Sequence, residues 1–239
     1  MPEPTTVDIR QLPQHVDISC VQAFHTRADL AALAEVATER GFVSAHVLPH
    51  WVPVMRELLA GSTTLVGAPV GFPAGGNATA TKVFEARSLL DAGVQELDVV
   101  VNVGRLRSGE VDFVRDELAQ IVALVAGRLP LRAILEVGHL DDDQIRLGCR
   151  AAVEAGVPWV KSGTGWSGVP TSVHHVEVMA QAVAGAAELK AAGGVRDLAT
   201  VRAMVALGVT RFGMNAAVAA ELAAEAAQDP SVAGEASRA

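Results

Sequence analysis

Short apolar, β-branched runs alternate along this chain with longer stretches in which apolar positions recur every three or four residues. The first pattern predicts buried strands and the second amphipathic helices. Eight strands are expected, at 16–20, 43–48, 63–70, 96–102, 131–137, 159–162, 187–191 and 210–214. Helices are expected at 26–40, 79–91, 111–126, 141–155, 173–184, 198–207 and 216–227. Several end at a glycine suited to a helix C-terminus: Gly41, Gly93, Gly127, Gly156 and Gly208. Repeated βα units in 239 residues fit a closed (β/α)8 barrel, typically ~250 residues, better than an open doubly wound sheet. The open sheet lacks a G-x-G-x-x-G after its first strand. No composition break divides the chain, so one α/β domain of the TIM-barrel class is expected over residues 1–228, with a flexible tail over 229–239.

Composition narrows the function. Hydrophobic residues make up 50% and charged ones 19%, which excludes a disordered chain. The formal charge of -8 opposes capture of nucleic acid or an anionic membrane. With no Tyr and 4% aromatics, tyrosine general acids are excluded and base-stacking platforms are poorly supplied. Cys20 and Cys149 have no metal or redox spacing and read as reduced structural thiols. The start, MPEPTTVDIR, lacks a basic segment followed by an apolar one, and a cytoplasmic location is expected. The longest uncharged stretch, 58–81, holds five Gly and two Pro and reads as strand plus loop, not as a membrane helix.

On this fold chemistry sits at the C-terminal ends of the strands. Asp98 in ELDVVVN, Lys161 in PWVKSGTG and Lys190 in AELKAAGG each interrupt an apolar strand there. Burying any one alone is costly, while three on the fourth, sixth and seventh strands are expected to converge in one barrel mouth. A lysine beside another ammonium and partly desolvated has a lowered pKa, which supplies a neutral amine for attack on a carbonyl. Schiff-base chemistry is the expectation. Gly193-Gly194-Val195-Arg196 after the seventh strand and Gly213-Met214-Asn215 after the eighth each lead into a helix, where backbone N–H groups suit a phosphate. Neither His174-His175 nor His46-x-x-x-His50 completes a metal set, so no metal is expected.

Over about residues 15–218 the chain resembles the 2-deoxyribose-5-phosphate aldolases, class I aldolases with a (β/α)8 barrel. The blocks VGAPVGFPAGGNATATKVFEA (66–86), ELDVVVNVGRLRSGE (96–110), WVKSGTGW (159–166) and LKAAGGVRDL (189–198) carry the resemblance, and WVPVMRELLAGS (51–62) resembles the family's second βα unit. It implies that Lys161 forms the imine, Lys190 is the second lysine beside it, and Asp98 is the carboxylate used in proton transfer. It also implies substrate or phosphate contacts at Asp17, Arg132, Thr164, Gly165, Gly193, Gly194, Arg196, Gly213 and Asn215. The implied reaction cleaves or forms deoxyribose 5-phosphate, with acetaldehyde and glyceraldehyde 3-phosphate as the other partners and no cofactor. Assembly is not legible in the pattern; barrels of this kind often pair through helices, and a homodimer is one expectation.

The chain departs from the family's pattern around the substrate. The usual K-T-S-T-G reads Lys161-Ser162-Gly163-Thr164-Gly165, and Asn215-Ala216 stands where serines commonly help bind phosphate. His46 replaces a common cysteine, either as a neutral packed histidine or as a new acid-base group, and Arg132 replaces a lysine. Two alternatives follow: Schiff-base chemistry on a different or non-phosphorylated aldehyde or ketone, or a silent sugar-phosphate-binding paralogue. Retention of two costly lysines argues against the second.

Overall fold

Successive residues of a strand face opposite ways, and here the two faces carry different chemistry. Ile18, Leu97, Val99, Leu189 and Ala191 alternate with Asp17, Ser19, Glu96, Asp98 and Lys190. The apolar set needs a cover of helices, and the polar set needs a shared interior. A closed barrel meets both demands.

The computed structural model describes residues 7–228; the tail expected over 229–239 lies outside the described residues. The elements run β1 (Val16–Cys20), α1 (Arg27–Arg40), β2 (Ser44–Val47), α2 (Val52–Leu58), β3 (Leu65–Val70), α3 (Thr79–Asp91), β4 (Glu96–Val100), α4 (Val103–Arg107), α5 (Val111–Val125), β5 (Leu131–Ile134), α6 (Asp142–Glu154), β6 (Trp159–Lys161), α7 (Val173–Val183), β7 (Glu188–Ala192), α8 (Leu198–Ala206), β8 (Val209–Met214) and α9 (Ala216–Ala227). The strands pair in parallel and in chain order, and β8 closes on β1 through Val16–Phe212, Asp17–Gly213 and Ile18–Met214. This is the expected (β/α)8 barrel.

Helix stripes cover the outer face of the sheet. Leu30, Leu33, Ala34 and Ala37 of α1, and Val114, Leu118, Ile121 and Val125 of α5, are buried at three- and four-residue spacing. Capping boxes at Thr26–Asp29, Asp141–Gln144 and Ser172–His175 fix where α1, α6 and α7 begin. Asp141, in the acidic run 141–143, is thus the N-cap of α6. A 3-10 helix, Ile9–His15, closes the N-terminal end of the barrel: Val43 N donates to Pro13 O at 3.0 Å, and the His15 ring meets Thr210 O at 3.1 Å.

Two predicted strands stop more than one residue early, each for a local reason. β4 ends at Val100 because the Asn102 side chain accepts from Arg105 N and starts α4. β5 ends at Ile134 because Glu136 takes a left-handed conformation, φ 58°, that no strand continues through. Periodicity assigns no helix to α2 or α4, since seven and five residues are too few to display a stripe. Among the described residues, no helix is long and apolar enough to cross a membrane.

Candidate active site

β4, β6 and β7 carry Asp98, Lys161 and Lys190 to the C-terminal mouth of the barrel. Lys161 and Lys190 are register partners on adjacent strands. Their ammonium groups meet on one atom, Asp98 Oδ2, with Lys161 Nζ at 2.7 Å and Lys190 Nζ at 2.9 Å. Lys190 and Asp98 are sealed, whereas the Lys161 side chain keeps 12% of its surface exposed, toward the cavity. Burial pushes Lys190 down to about 8, helped by the Lys161 charge and opposed by Asp17 and Asp98. For Asp98, burial works to raise the pKa, but the charges of Lys161 and Lys190 outweigh it and hold the carboxyl well below its usual range. The site thus has a fixed carboxylate and a lysine close to losing its proton at neutral pH.

A cavity of about 240 Å³ opens above this triad. Asp17, Thr164, Gly165, Gly193, Gly194, Arg196, Gly213 and Asn215 all line it together with Asp98, Lys161 and Lys190. Arg196 is exposed, and Gly193 and Gly194 take φ values of 88° and 100°. A Cβ on Gly194 would stand 2.5 Å from the Pro170 Cβ, so this turn requires glycine. Asn215 Oδ1 accepts from Val218 N at 2.9 Å, which makes this cavity-lining residue the N-cap of α9. Across the mouth, Phe72 and Trp166 meet edge to face with centroids 5.7 Å apart, so the loops after β3 and β6 touch over the cavity.

The Arg132 expectation needs correction. Its side chain has no exposed surface and does not line the cavity. It lies beneath the floor, donating to Glu96 at 2.9 Å and to Asp98 at 3.3 Å, with its guanidinium over the Trp159 ring. Arginine suits this place because one planar fork reaches two carboxylates. It positions Asp98 and cannot touch substrate from there.

His46 takes the packed reading. Its Nε2 meets Glu96 Oε2 at 3.3 Å, and Nδ1 stands 3.8 Å from Asp98 Oδ2. Burial and the Lys190 charge push its pKa down against the pull of Asp98, Glu96 and Asp17. The ring fits because residue 67 is glycine; a Cβ there would lie 2.3 Å from His46 Nε2. Asp17, His46 and Glu96 bring ligand-type atoms within 4.8 Å of one another. Lys190, Arg211 and Arg132 already supply their countercharge, so the trio is an ionic network rather than a cation site.

Three site residues escape the motif reading. Arg211 on β8 binds Asp17 Oδ1 at 2.5 Å and Glu96 at 2.9 Å. Glu96 holds Arg132, Arg211 and His46 together. Glu136 turns its carboxylate onto Thr164, accepting from the backbone N at 3.3 Å and from the hydroxyl. Its Oε1 would lie 2.9 Å from a Cβ at residue 163, where this chain has glycine. The signal for Glu96 and Arg211 was the one that exposed Asp98: a charge on the inward face of an apolar strand, and Glu96 is two positions before Asp98. Glu136 gives the same signal inside the predicted strand 131–137, but its left-handed turn, and so its contact with Thr164, is not readable from the pattern.

No family model matches the chain. Among curated proteins it is 47% identical over 228 residues to the deoxyribose-phosphate aldolase of Sinorhizobium medicae, covering 95% of this chain and 92% of that one. It is 45% identical over 218 residues to the enzyme of the same name from Klebsiella pneumoniae, covering 90% and 87%. Among solved structures, the tetrameric deoxyribose phosphate aldolase of Aeropyrum pernix superposes with a TM-score of 0.80 at 25% identity, covering 93% of this chain and 98% of that one. With the eight-stranded barrel and near-complete coverage at these identities, the chain belongs to the deoxyribose-phosphate aldolase family.

Proposed function

We propose that this chain is a lyase that interconverts 2-deoxyribose 5-phosphate with acetaldehyde and glyceraldehyde 3-phosphate through an imine on Lys161. One observation carries the reading: two ammonium groups share a single buried carboxylate oxygen at the floor of a cavity, and only Lys161 of the three groups keeps exposed surface.

Lys161 Nζ, once neutral, attacks the C1 aldehyde of the open-chain sugar. The carbinolamine loses water to give an iminium, with Asp98, Lys190 and a water moving the protons. The C3 hydroxyl then gives up its proton as the C2–C3 bond breaks, and the electron pair enters the iminium to form an enamine. Glyceraldehyde 3-phosphate leaves as the aldehyde formed at C3. Protonation of the enamine at C2 and hydrolysis of the imine release acetaldehyde and restore Lys161. The lowered Lys190 pKa supports a proton shuttle that works near neutrality.

Phosphate binding is assigned to the loops after β7 and β8, through the turn at Gly193-Gly194, Arg196 and the α9 N-terminus at Asn215. Asp17 acts from below, pairing with Lys190, and Thr164-Gly165 forms the wall beside the imine. A second reading, a preference for unphosphorylated aldehydes, draws on Asn215-Ala216 where the family commonly has serines. Relative kcat/KM for deoxyribose and its 5-phosphate separates the two: equal values sink the phosphate assignment.

The primary test is borohydride reduction in the presence of deoxyribose 5-phosphate, followed by peptide mapping. A two-carbon or deoxyribosyl-phosphate adduct on Lys161 that is absent in Lys161→Ala is the expected result. No adduct on folded wild-type protein overturns the reading.

A further inference from the structure

A second layer of charge lies under the reacting groups. Glu96 is two residues before Asp98 on β4, so it faces the same way one layer deeper. Its carboxylate accepts from Arg132 at 2.9 Å, from Arg211 at 2.9 and 3.0 Å, and from the His46 ring at 3.3 Å. Arg211 also holds Asp17, which pairs with Lys190. Neither Glu96 nor Arg211 lines the cavity, so neither can touch substrate.

The charges around the lysine pair do not cancel. Joined to Lys161 and Lys190 in one hydrogen-bonded cluster are Asp17 on β1, His46 on β2, Glu96 and Asp98 on β4, Arg132 on β5 and Arg211 on β8; β3 faces them with Gly67 and Pro69, which carry no charge, and the half-buried Glu188 on β7 stands apart, accepting from the Thr210 hydroxyl at 2.9 Å. Three carboxylates therefore stand against two guanidinium and two ammonium groups, with His46 neutral. When both lysines are protonated the enclosed cluster has one positive charge too many, and an uncompensated charge is costly where water is excluded. Loss of one proton from the lysine pair removes the excess.

We propose that Glu96 and Arg211 are positioning residues that set the proton count of the Lys161–Lys190 pair from beneath, through their charge and not through contact with substrate. This rests on the reading of Lys161 as the imine lysine. The sign follows from the count. Without the Arg211 charge the cluster is balanced with both lysines protonated, so the pair holds its protons more tightly. Without the Glu96 charge the excess doubles, and a proton leaves more readily. Loss of packing has no reason to produce opposite effects from these two neighbours.

The experiment is the initial rate of acetaldehyde adduct formation at Lys161, trapped with cyanoborohydride and followed by mass spectrometry from acid to alkaline pH. Wild type is compared with Arg211→Gln, Glu96→Gln, the double variant and Arg211→Lys, each checked for folding by circular dichroism. The acid limb is expected to move up by about one pH unit in Arg211→Gln and down by a similar amount in Glu96→Gln. It is expected to return close to wild type in the double variant, and in Arg211→Lys, which keeps the charge. If one single variant does not fold, the direction seen in the other against the double variant decides. Limbs that stay in place while the rate falls, or that move the same way in both, overturn the proposal. A wild-type protein with no adduct at any pH overturns instead the imine reading beneath it.

Discussion

The shell between strands and helices and the lumen of the barrel are made by the two faces of the same strands, yet they are held together differently. In the shell, residues such as Leu97, Val99, Leu118 and Ile121 are fully buried and apolar, and each gains by leaving water. In the lumen, Asp17, Glu96, Asp98, Arg132 and Lys190 are equally buried and each would be unfavourable alone. The shell tolerates apolar substitutes of similar volume at small cost, because burial of apolar surface is non-directional. The lumen does not, because removing any charge there leaves a buried partner of opposite sign uncompensated. Stability is concentrated in the first region and chemistry in the second.

The sharpest way to break this contrast is to remove one lumen charge. Arg132→Met should destabilise the fold by about 3–5 kcal/mol, because Glu96 and Asp98 lose a buried partner; urea denaturation measures it. Acid should act on the same region. The lumen carboxylates have folded pKa values depressed below their unfolded ones, Glu96 to about 2 as the His46 hydrogen bond and the Arg132 and Arg211 charges overcome burial and the Asp17 charge. Their contribution is therefore present above the unfolded values, near pH ~4, and is lost as the pH falls through the folded ones. Wild-type stability should drop between mildly acidic and strongly acidic buffer, and Glu96→Gln should narrow that drop.

In the shell, Leu97→Ala should cost about 2–5 kcal/mol, with the same loss at neutral and acidic pH. A pH-dependent loss at Leu97 would show that the two faces of β4 are coupled. At the boundary, Gly163→Ser reintroduces the hydroxyl common in the family but meets the Glu136 carboxylate, and should destabilise by about 1–3 kcal/mol; equal urea midpoints would show that Glu136 moves aside freely. The smallest effect is expected at the rim. Asn215→Ala removes the α9 N-cap and should cost about 1 kcal/mol, while raising KM for the phosphorylated sugar more than for the free one.

Much of this molecule was legible from one rule applied twice. Short apolar, β-branched runs located all the strands, and charges interrupting them located Asp98, Lys161 and Lys190. The same rule, carried to Glu96 and Arg211, would have found the lower layer, because both interrupt strands in the same way. Arg132 was legible as a charge but misplaced as a substrate contact, since a strand residue's height in the barrel depends on register with its neighbours. Glu136 was legible only as a charge in the predicted strand 131–137: its role depends on a left-handed turn and on the empty space at Gly163, which sit far apart in the chain.

By itself, then, the order of residues determined the number of βα units and picked out Asp98, Lys161 and Lys190 as ionisable groups set in apolar strands, because those follow from periodicity and the cost of burying charge. Only the tertiary structure decided which charges share an oxygen, which lysine keeps an open face and which arginine lies below the floor. Those depend on strand register and barrel closure, which bring together residues as distant as Asp17 and Arg211 and are set by the packing of the whole barrel rather than by any local pattern.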